Sequence, residues 1–270
     1  MDATGSSAQE TARRSPAWHL AAGLVRPGMN ALMGKEWHGL ENIPSDGCIV
    51  VANHVSLIDP LAVLHAVYRS GTTPHIMAKD SLFRVPVLGT LMSELQLIPV
   101  TRNARDRSRE SLDIAHGIIQ EGGAVVIYPE GTLTTDPDQW PMRMKTGAAR
   151  LALTTGAPIV PLTHWGTHRF LPFGAKAPRI LPRRSYTLRA DEPLDMSDLR
   201  SRPLSRTVLA QATQRIEQAL TEGVSRLRGE PAPELIWDRN ISQRVPRDQL
   251  RARAEQQDRH ADRTGEGSDE

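Results

Sequence analysis

The sequence predicts an α/β fold in which a central, mostly parallel sheet carries helices on both faces. Short apolar runs alternate along the chain with stretches whose apolar residues recur at helical spacing. One of these runs, 48–52, is wholly apolar, as a strand covered on both faces of a parallel sheet would be. Strands that alternate with helices in this way favour a sheet built from crossover connections.

The length and charge of the chain limit its organisation. Its 270 residues suffice for one large α/β domain with appendages. We expect a disordered N-terminus over 1–15, an amphipathic helical segment over 16–35, the α/β domain over 36–228, and a polar, mostly disordered tail over 229–270. The formal charge of +2 gives no sign of a nucleic-acid partner.

The sequence indicates a cytoplasmic protein, or one that rests on the inner face of a membrane. The N-terminus lacks the charged, apolar and cleavage regions of a signal peptide. No apolar run reaches the roughly 18 residues of a transmembrane helix.

The helical segment before the sheet has two interpretations. Its apolar residues recur at helical spacing from Trp18 to Met33, and Pro27-Gly28 predicts a kink or two short helices. The segment could pack on the domain. It could instead lie among lipid headgroups, with Trp18 and Met29 directed into the lipid and Arg26 outward. Periodicity does not separate these alternatives.

The other strands and helices are predicted from apolar runs and from the glycine and proline residues that separate them. Strands are expected at 48–52, 75–79, 97–100, 124–128 and 158–162, with a further one at 186–190. Helices are expected at 60–68, 79–85, 87–92, 108–120, 148–153 and 208–227.

The stretch that links the strand at 48–52 to its helix holds the main candidate site. His54 follows the strand directly, at the carboxyl end where open α/β sheets bind ligands. The turn could bring Asp59 to His54, and a histidine oriented by a carboxylate is a catalytic triad without its nucleophile. That pair suits a reaction whose nucleophile arrives with the substrate. A structural interpretation also exists, in which Asp59 caps the helix and His54 is an ordinary strand-end histidine.

Four ordered blocks carry a resemblance to a known family. The chain resembles the glycerolipid acyltransferase family, which includes the 1-acylglycerol-3-phosphate acyltransferases, over about 36–227. The blocks are Asn53-His54 with Asp59 after four intervening residues, Leu97–Arg102, Tyr128-Pro129-Glu130-Gly131-Thr132, and Val160-Pro161-Leu162.

This resemblance implies a chemistry for the pair. It makes His54 the general base for an acceptor hydroxyl and Asp59 the residue that orients it. It implies an acyl-CoA or acyl carrier protein as donor, a lysolipid as acceptor, and a membrane surface as partner. Neither a cofactor nor a metal is implied.

Further residues are implied in binding the substrate. Arg102 corresponds to an arginine that holds the acceptor's phosphate, although it could be a solvated arginine like its neighbours at 105, 107 and 109. Asn53 and the Glu130-Gly131-Thr132 block are also binding candidates. For Glu130 we expect a buried hydrogen-bond anchor for its loop rather than direct chemistry.

The chain departs from the family pattern after Thr132. The usual arginine there is replaced by Leu133, which cannot bind phosphate. Phosphate binding would then fall on Arg102, with Arg143 and Lys145 as additional candidates before a helix start. A solvated lysine explains Lys145 equally well.

The predicted function is therefore transfer of an acyl group to 1-acylglycerol 3-phosphate, forming phosphatidic acid. Leu133 leaves open another lysolipid or a glycolipid as acceptor. A catalytically silent lipid-binding module is the alternative from another class.

Overall fold

A seven-stranded sheet organises residues 16–100 and 105–249, which the computed structural model describes. In chain order, β1 to β7 are Met33–His38, Cys48–Ala52, Pro74–Lys79, Ile98–Val100, Ala124–Ile127, Ile159–Trp165 and Arg184–Ala190. Their order across the sheet is β1-β7-β6-β2-β5-β3-β4. The five strands from β6 to β4 run parallel, and β7 and β1 run antiparallel to them. The predicted mostly parallel α/β sheet is confirmed, with β1 as an added strand.

Helices cover both faces of this sheet. In chain order, the described helices α1 to α8 are Pro16–Leu32, Asp59–Ser70, Leu88–Glu94, Arg105–Gln120, Gly147–Thr155, Thr167–Phe170, Ser197–Arg200 and Arg206–Arg228. The turn after β3, expected to be helical, is a 3-10 helix over Asp80–Arg84. Among the described residues, no helix is both long enough and apolar enough to cross a bilayer.

Strand β2 shows why the core has two halves. All five of its residues are fully buried, and successive side chains point to opposite faces. Val50 belongs to a core with Trp18 and the apolar side of α2, whereas Val51 belongs to a core with α4, α5 and α8. The continuous apolar run at 48–52 is thus explained by burial on both faces.

Helix α1 packs on the domain. It is one helix with Pro27 inside it, where two short helices or a kink were expected. Trp18 stacks on Tyr68 of α2 at 5.8 Å between ring centroids, and Met29 is buried in the same core. The structure supports the packing interpretation, because the two side chains assigned to lipid lie against protein.

Part of 229–270, which we expected to be a polar and mostly disordered tail, forms regular structure. Leu235–Asp238 (β8) and Gln243–Pro246 (β9) form an antiparallel hairpin. Arg244 bonds the buried carboxylate of Asp136, with Nη2 to Oδ1 at 2.9 Å, and Arg247 bonds Glu217 of α8 at 3.0 Å. These long-range ion pairs hold a segment that is too polar to build a core of its own.

Candidate active site

The candidate site lies where three parallel strands end at one edge of the sheet. Val51 of β2 is level with Ile127 of β5, and Ala52 is level with Leu162 of β6. The residues that follow these strands therefore meet at the carboxyl edge, as in other open α/β sheets.

His54 and Asp59 come together in the turn that leaves β2. His54 Nδ1 lies 3.0 Å from Asp59 Oδ2, and the same oxygen accepts the backbone N–H groups of Val55 and Ser56 at 2.7 Å each. Asp59 is the first residue of α2, and the N-cap is Ile58. The capping interpretation of Asp59 is thus wrong, because its carboxylate turns back to the 54–56 turn.

The surroundings of Asp59 favour its ionised form. Burial alone would raise the pKa of this carboxyl, but the neighbouring imidazole of His164 and the hydrogen bond from His54 outweigh burial and lower it. An ionised carboxylate can only accept, so His54 Nδ1 carries the proton of that hydrogen bond. The lone pair of His54 then lies on Nε2, the atom that a general base needs. The His54 side chain is 14% exposed, so a substrate can reach it.

Tyr128 fixes the plane of the His54 ring. The two rings stack with centroids 4.2 Å apart and planes inclined by 23°. Burial raises the pKa of the Tyr128 hydroxyl well above its ordinary value, so the residue stays neutral. The sequence indicated Tyr128 only as part of the 128–132 block, without a role of its own. An aromatic residue at the end of β5, level with β2, was the available signal.

Glu130 ties the loop after β5 to the backbone of the candidate base. Its Oε1 accepts the N–H of His54 and its Oε2 accepts the N–H of Met142, both at 3.1 Å. Burial raises the pKa of Glu130 to about 8, against these backbone bonds, which lower it. Thr134 N–H in turn donates to the carbonyl of His54 at 2.8 Å. Glu130 is placed as an anchor for its loop.

Asn53 joins β2 to a histidine that sequence reasoning missed. Its side chain bonds both backbone groups of His164 at 3.0 Å, and His164 Nε2 lies 2.8 Å from the Asn53 carbonyl oxygen. The same Nε2 lies 3.7 Å from Asp59 Oδ2. Burial lowers the pKa of His164 and outweighs the attraction of Asp59, so the ring is neutral. The Asn53 side chain is thus occupied within the protein.

The residues that were candidates for binding the acceptor's phosphate differ in what surrounds them. Arg143 pairs with Asp238 of the hairpin at 2.8 Å, which commits its charge to the fold. Lys145 crosses Gly131, whose φ is +72°; a Cβ there would meet Lys145 Nζ at 2.9 Å. Thr132 is partly buried beside Gly131 in this loop. Arg102 lies outside the described residues.

Leu133 is buried, with 8% of its surface exposed. At this position the chain has an apolar side chain packed into the protein, where the family pattern has an arginine. Among residues 16–100 and 105–249, no group of three or more His, Cys, Asp or Glu side chains could hold a metal ion.

Comparisons with known proteins find acyltransferases among the proteins that this chain resembles. The Acyltransferase family matches residues 35–165, which contain His54, Asp59 and Glu130. The chain is 32% identical over 140 residues to a chloroplastic 1-acyl-sn-glycerol-3-phosphate acyltransferase of Brassica napus, covering 51% of this chain and 39% of the relative. It is 33% identical over 134 residues to a 1-acyl-sn-glycerol-3-phosphate acyltransferase of Borreliella burgdorferi, covering 49% and 51%. The chain thus spans about two fifths to one half of the length of these relatives.

A solved structure shares the fold over most of both chains. The 1-acyl-sn-glycerophosphate acyltransferase of Thermotoga maritima superposes with a TM-score of 0.61 and 25% identity, covering 80% of this chain and 81% of that one. Residues 35–165 thus match the Acyltransferase family, and the chain is similar in sequence and fold to 1-acyl-sn-glycerol-3-phosphate acyltransferases.

Proposed function

We propose that this chain transfers a fatty acyl group from acyl-CoA or acyl carrier protein to the hydroxyl of 1-acylglycerol 3-phosphate. The observation that carries the proposal is the 3.0 Å contact between His54 Nδ1 and Asp59 Oδ2. This contact leaves the lone pair of the neutral ring on Nε2, the nitrogen that does not contact Asp59. The names of the relatives support the choice of acceptor.

The reaction needs one base and no protein nucleophile. His54 Nε2 takes the proton of the acceptor hydroxyl while its oxygen attacks the thioester carbonyl carbon. The carbon–sulfur bond then breaks, and the imidazolium returns the proton to the leaving thiolate. Asp59 stabilises the imidazolium between these steps, because its carboxylate lies against Nδ1.

The acceptor's phosphate needs cationic partners near this edge. Lys145 is the described candidate, since its side chain crosses the Gly131 backbone beside the Glu130 anchor. Arg102 is a second candidate on sequence alone. Arg143 is a weaker one than the sequence suggested, because Asp238 already neutralises it.

Leu133 favours a second candidate function with the same chemistry. A buried leucine offers no hydrogen bond to a phosphate, so the acceptor could be a lysolipid or glycolipid without a terminal phosphate. The rest of the site would act unchanged on any acceptor hydroxyl.

The test is acyl transfer from labelled acyl-CoA by the purified full chain. His54→Ala is expected to lower the rate by about 100- to 10,000-fold, the usual contribution of a general base. His116→Ala is the matched control, because this histidine is exposed on α4. Near-normal transfer by His54→Ala would show that the assignment of the base is wrong.

A panel of lysolipid and glycolipid acceptors, with the products identified by mass spectrometry, distinguishes the candidate functions. Phosphatidic acid as the main product supports the first candidate. Acylation of acceptors that lack a phosphate monoester, in preference to 1-acylglycerol 3-phosphate, supports the second. Lysolipid binding without any transfer would indicate a catalytically silent lipid-binding module.

A further inference from the structure

The carboxyl edge of the sheet carries exposed apolar side chains that neither the core nor the proposed chemistry uses. Leu57 follows β2 and is 64% exposed, and Val87 and Leu91 follow β3. Phe173 and Leu181 follow β6 and are 70% and 84% exposed. We call these five residues the edge patch.

Strand register places the β3 part of the edge patch beside the site. Met77 of β3 is level with Ile98 of β4, so the intervening chain leaves and re-enters the sheet near the end of β3. That chain includes α3, and Gly89 packs closely against the Phe83 carbonyl. The segment with Val87 and Leu91 therefore stays at the edge where His54 lies.

Register also places the β6 part of the edge patch at this edge. Trp165 of β6 pairs with Thr187 of β7 in an antiparallel connection, so residues 166–183 cross the carboxyl edge. Ser56, two residues after His54, donates its hydroxyl to the carbonyl of Leu171 at 2.6 Å. The segment with Phe173 and Leu181 is thereby tied to the turn that holds the candidate base.

The charged residues of the segment that bears Phe173 and Leu181 all have one sign. Residues 171–184 contain no Asp or Glu. They contain the exposed cations Lys176, Arg179 and Arg183. Apolar side chains framed by Lys and Arg suit the interface of a bilayer that contains anionic lipids.

We propose that the edge patch is the surface by which this protein docks on an anionic phospholipid bilayer. The assignment rests on the proposed function in one respect: a lipid acceptor leaving the bilayer would enter beside His54. Helix α1, the segment first considered for this task, has its Trp18 and Met29 turned into the core. We therefore assign the membrane-facing surface to the edge of the sheet that bears the site, and not to the N-terminal helix.

Vesicle co-sedimentation of the full chain tests this surface. The vesicles contain equal parts of phosphatidylglycerol and phosphatidylcholine. Phe173→Ser combined with Leu181→Ser is expected to weaken partitioning by at least about tenfold, since each removes a large side chain from the lipid. Lys176→Glu combined with Arg179→Glu should weaken it by at least about tenfold and leave binding to pure phosphatidylcholine little changed.

Leu204→Ser combined with Ile241→Ser is the matched control. It removes two large exposed side chains outside the edge patch, and it is expected to bind vesicles like the wild type. Equal losses in this control and the edge variant would overturn the proposal, as would unchanged binding by the edge variant. Loss of binding by Leu20→Ser alone, with the edge variant unaffected, would return the role to α1.

Two further measurements separate this inference from the proposed function. Transfer to a short-chain acceptor dispersed as monomers should be unchanged in the Phe173 and Leu181 variant, because neither residue takes part in the chemistry. Failure of the wild type in that assay counts against acyl transfer but not against docking. If the Lys176 and Arg179 variant raised the KM for an acyl carrier protein donor and left vesicle binding intact, the basic loop would be a protein-docking site and our assignment would be wrong.

Discussion

Nε2 of the buried His164 ring lies 3.7 Å from Oδ2 of Asp59, the same carboxylate oxygen that bonds His54. One carboxylate oxygen thus has a histidine from β6 and a histidine from the β2 turn beside it. His164 is fully buried and neutral, and its Nε2 N–H donates a hydrogen bond to the Asn53 carbonyl. We assign it as a positioning residue for the turn that carries the base.

Replacing His164 tests this role. His164→Leu leaves the buried Asn53 carbonyl without its donor and should lower the free energy of unfolding by about 1–3 kcal/mol. It should also reduce kcat more than it changes KM, because the turn loses its support, whereas His164→Gln keeps a donor and should restore part of both. Urea unfolding and steady-state kinetics measure the two effects, with exposed His116→Leu as control. A stability loss with kcat unchanged would mean that His164 is purely structural.

Asp59→Asn should separate the charge of this residue from its hydrogen bonds. The amide oxygen can take the place of Oδ2, which accepts from Val55, Ser56 and His54 Nδ1, but it brings no negative charge to the imidazolium. We expect kcat to fall about 10- to 150-fold, because a charge-assisted hydrogen bond of about 1.5–3 kcal/mol is lost. Acyl-transfer kinetics at equal folded content measure this, and Asp113→Asn, exposed on α4, is the control. Full activity of Asp59→Asn would show that the charge of Asp59 does not assist the base.

Arg244→Ala should release the C-terminal hairpin. Its guanidinium bonds both oxygens of Asp136, a carboxylate whose side chain is 1% exposed. Removing one partner of such a pair costs up to about 3–5 kcal/mol when both are buried, and we expect about 2 kcal/mol here because Arg244 is partly exposed. Urea unfolding and limited proteolysis after residue 229 measure the effect. Arg150→Ala, at an exposed position on α5, should change neither the free energy of unfolding nor the proteolysis. Equal behaviour of the two variants would show that the Arg244–Asp136 pair does not hold the hairpin.

His65 should make stability depend on pH. Burial, assisted by Lys35, Arg26 and Arg69, lowers the pKa of His65 to about 4. In the unfolded chain the value is about 6.5, so between these values the unfolded state binds a proton that the folded state does not. Stability is therefore lost as the pH falls from about 6.5 to 4.

His65→Phe removes this titration and keeps an aromatic ring against Trp37, whose ring centroid lies 4.9 Å away. The drop in Tm between pH 7 and pH 5 should be smaller in this variant than in the wild type. Thermal unfolding at the two pH values measures it, with His116→Phe as the exposed control. An unchanged drop would show that other groups set the acid sensitivity.

The sequence by itself determined the sheet and the position of its main site. The apolar run 48–52 and its helix at Asp59 are local patterns, so they predicted a buried strand with His54 at its carboxyl end. The motif around His54 and Asp59 was equally local, because both residues belong to one turn. The terminal domain bounds stay predictions where they fall in 1–15 and 250–270, outside the described residues.

Only the tertiary structure decided which distant residues share that site. Tyr128, Glu130 and His164 are 74 to 110 positions from His54, and strand register alone brings them beside it. Tertiary structure also paired Arg143 with Asp238. It ordered the hairpin through ion pairs to Asp136 and Glu217, more than a hundred and about thirty positions away in the chain. Such contacts leave no periodic pattern, because they depend on where separate segments meet after the core has formed around β2.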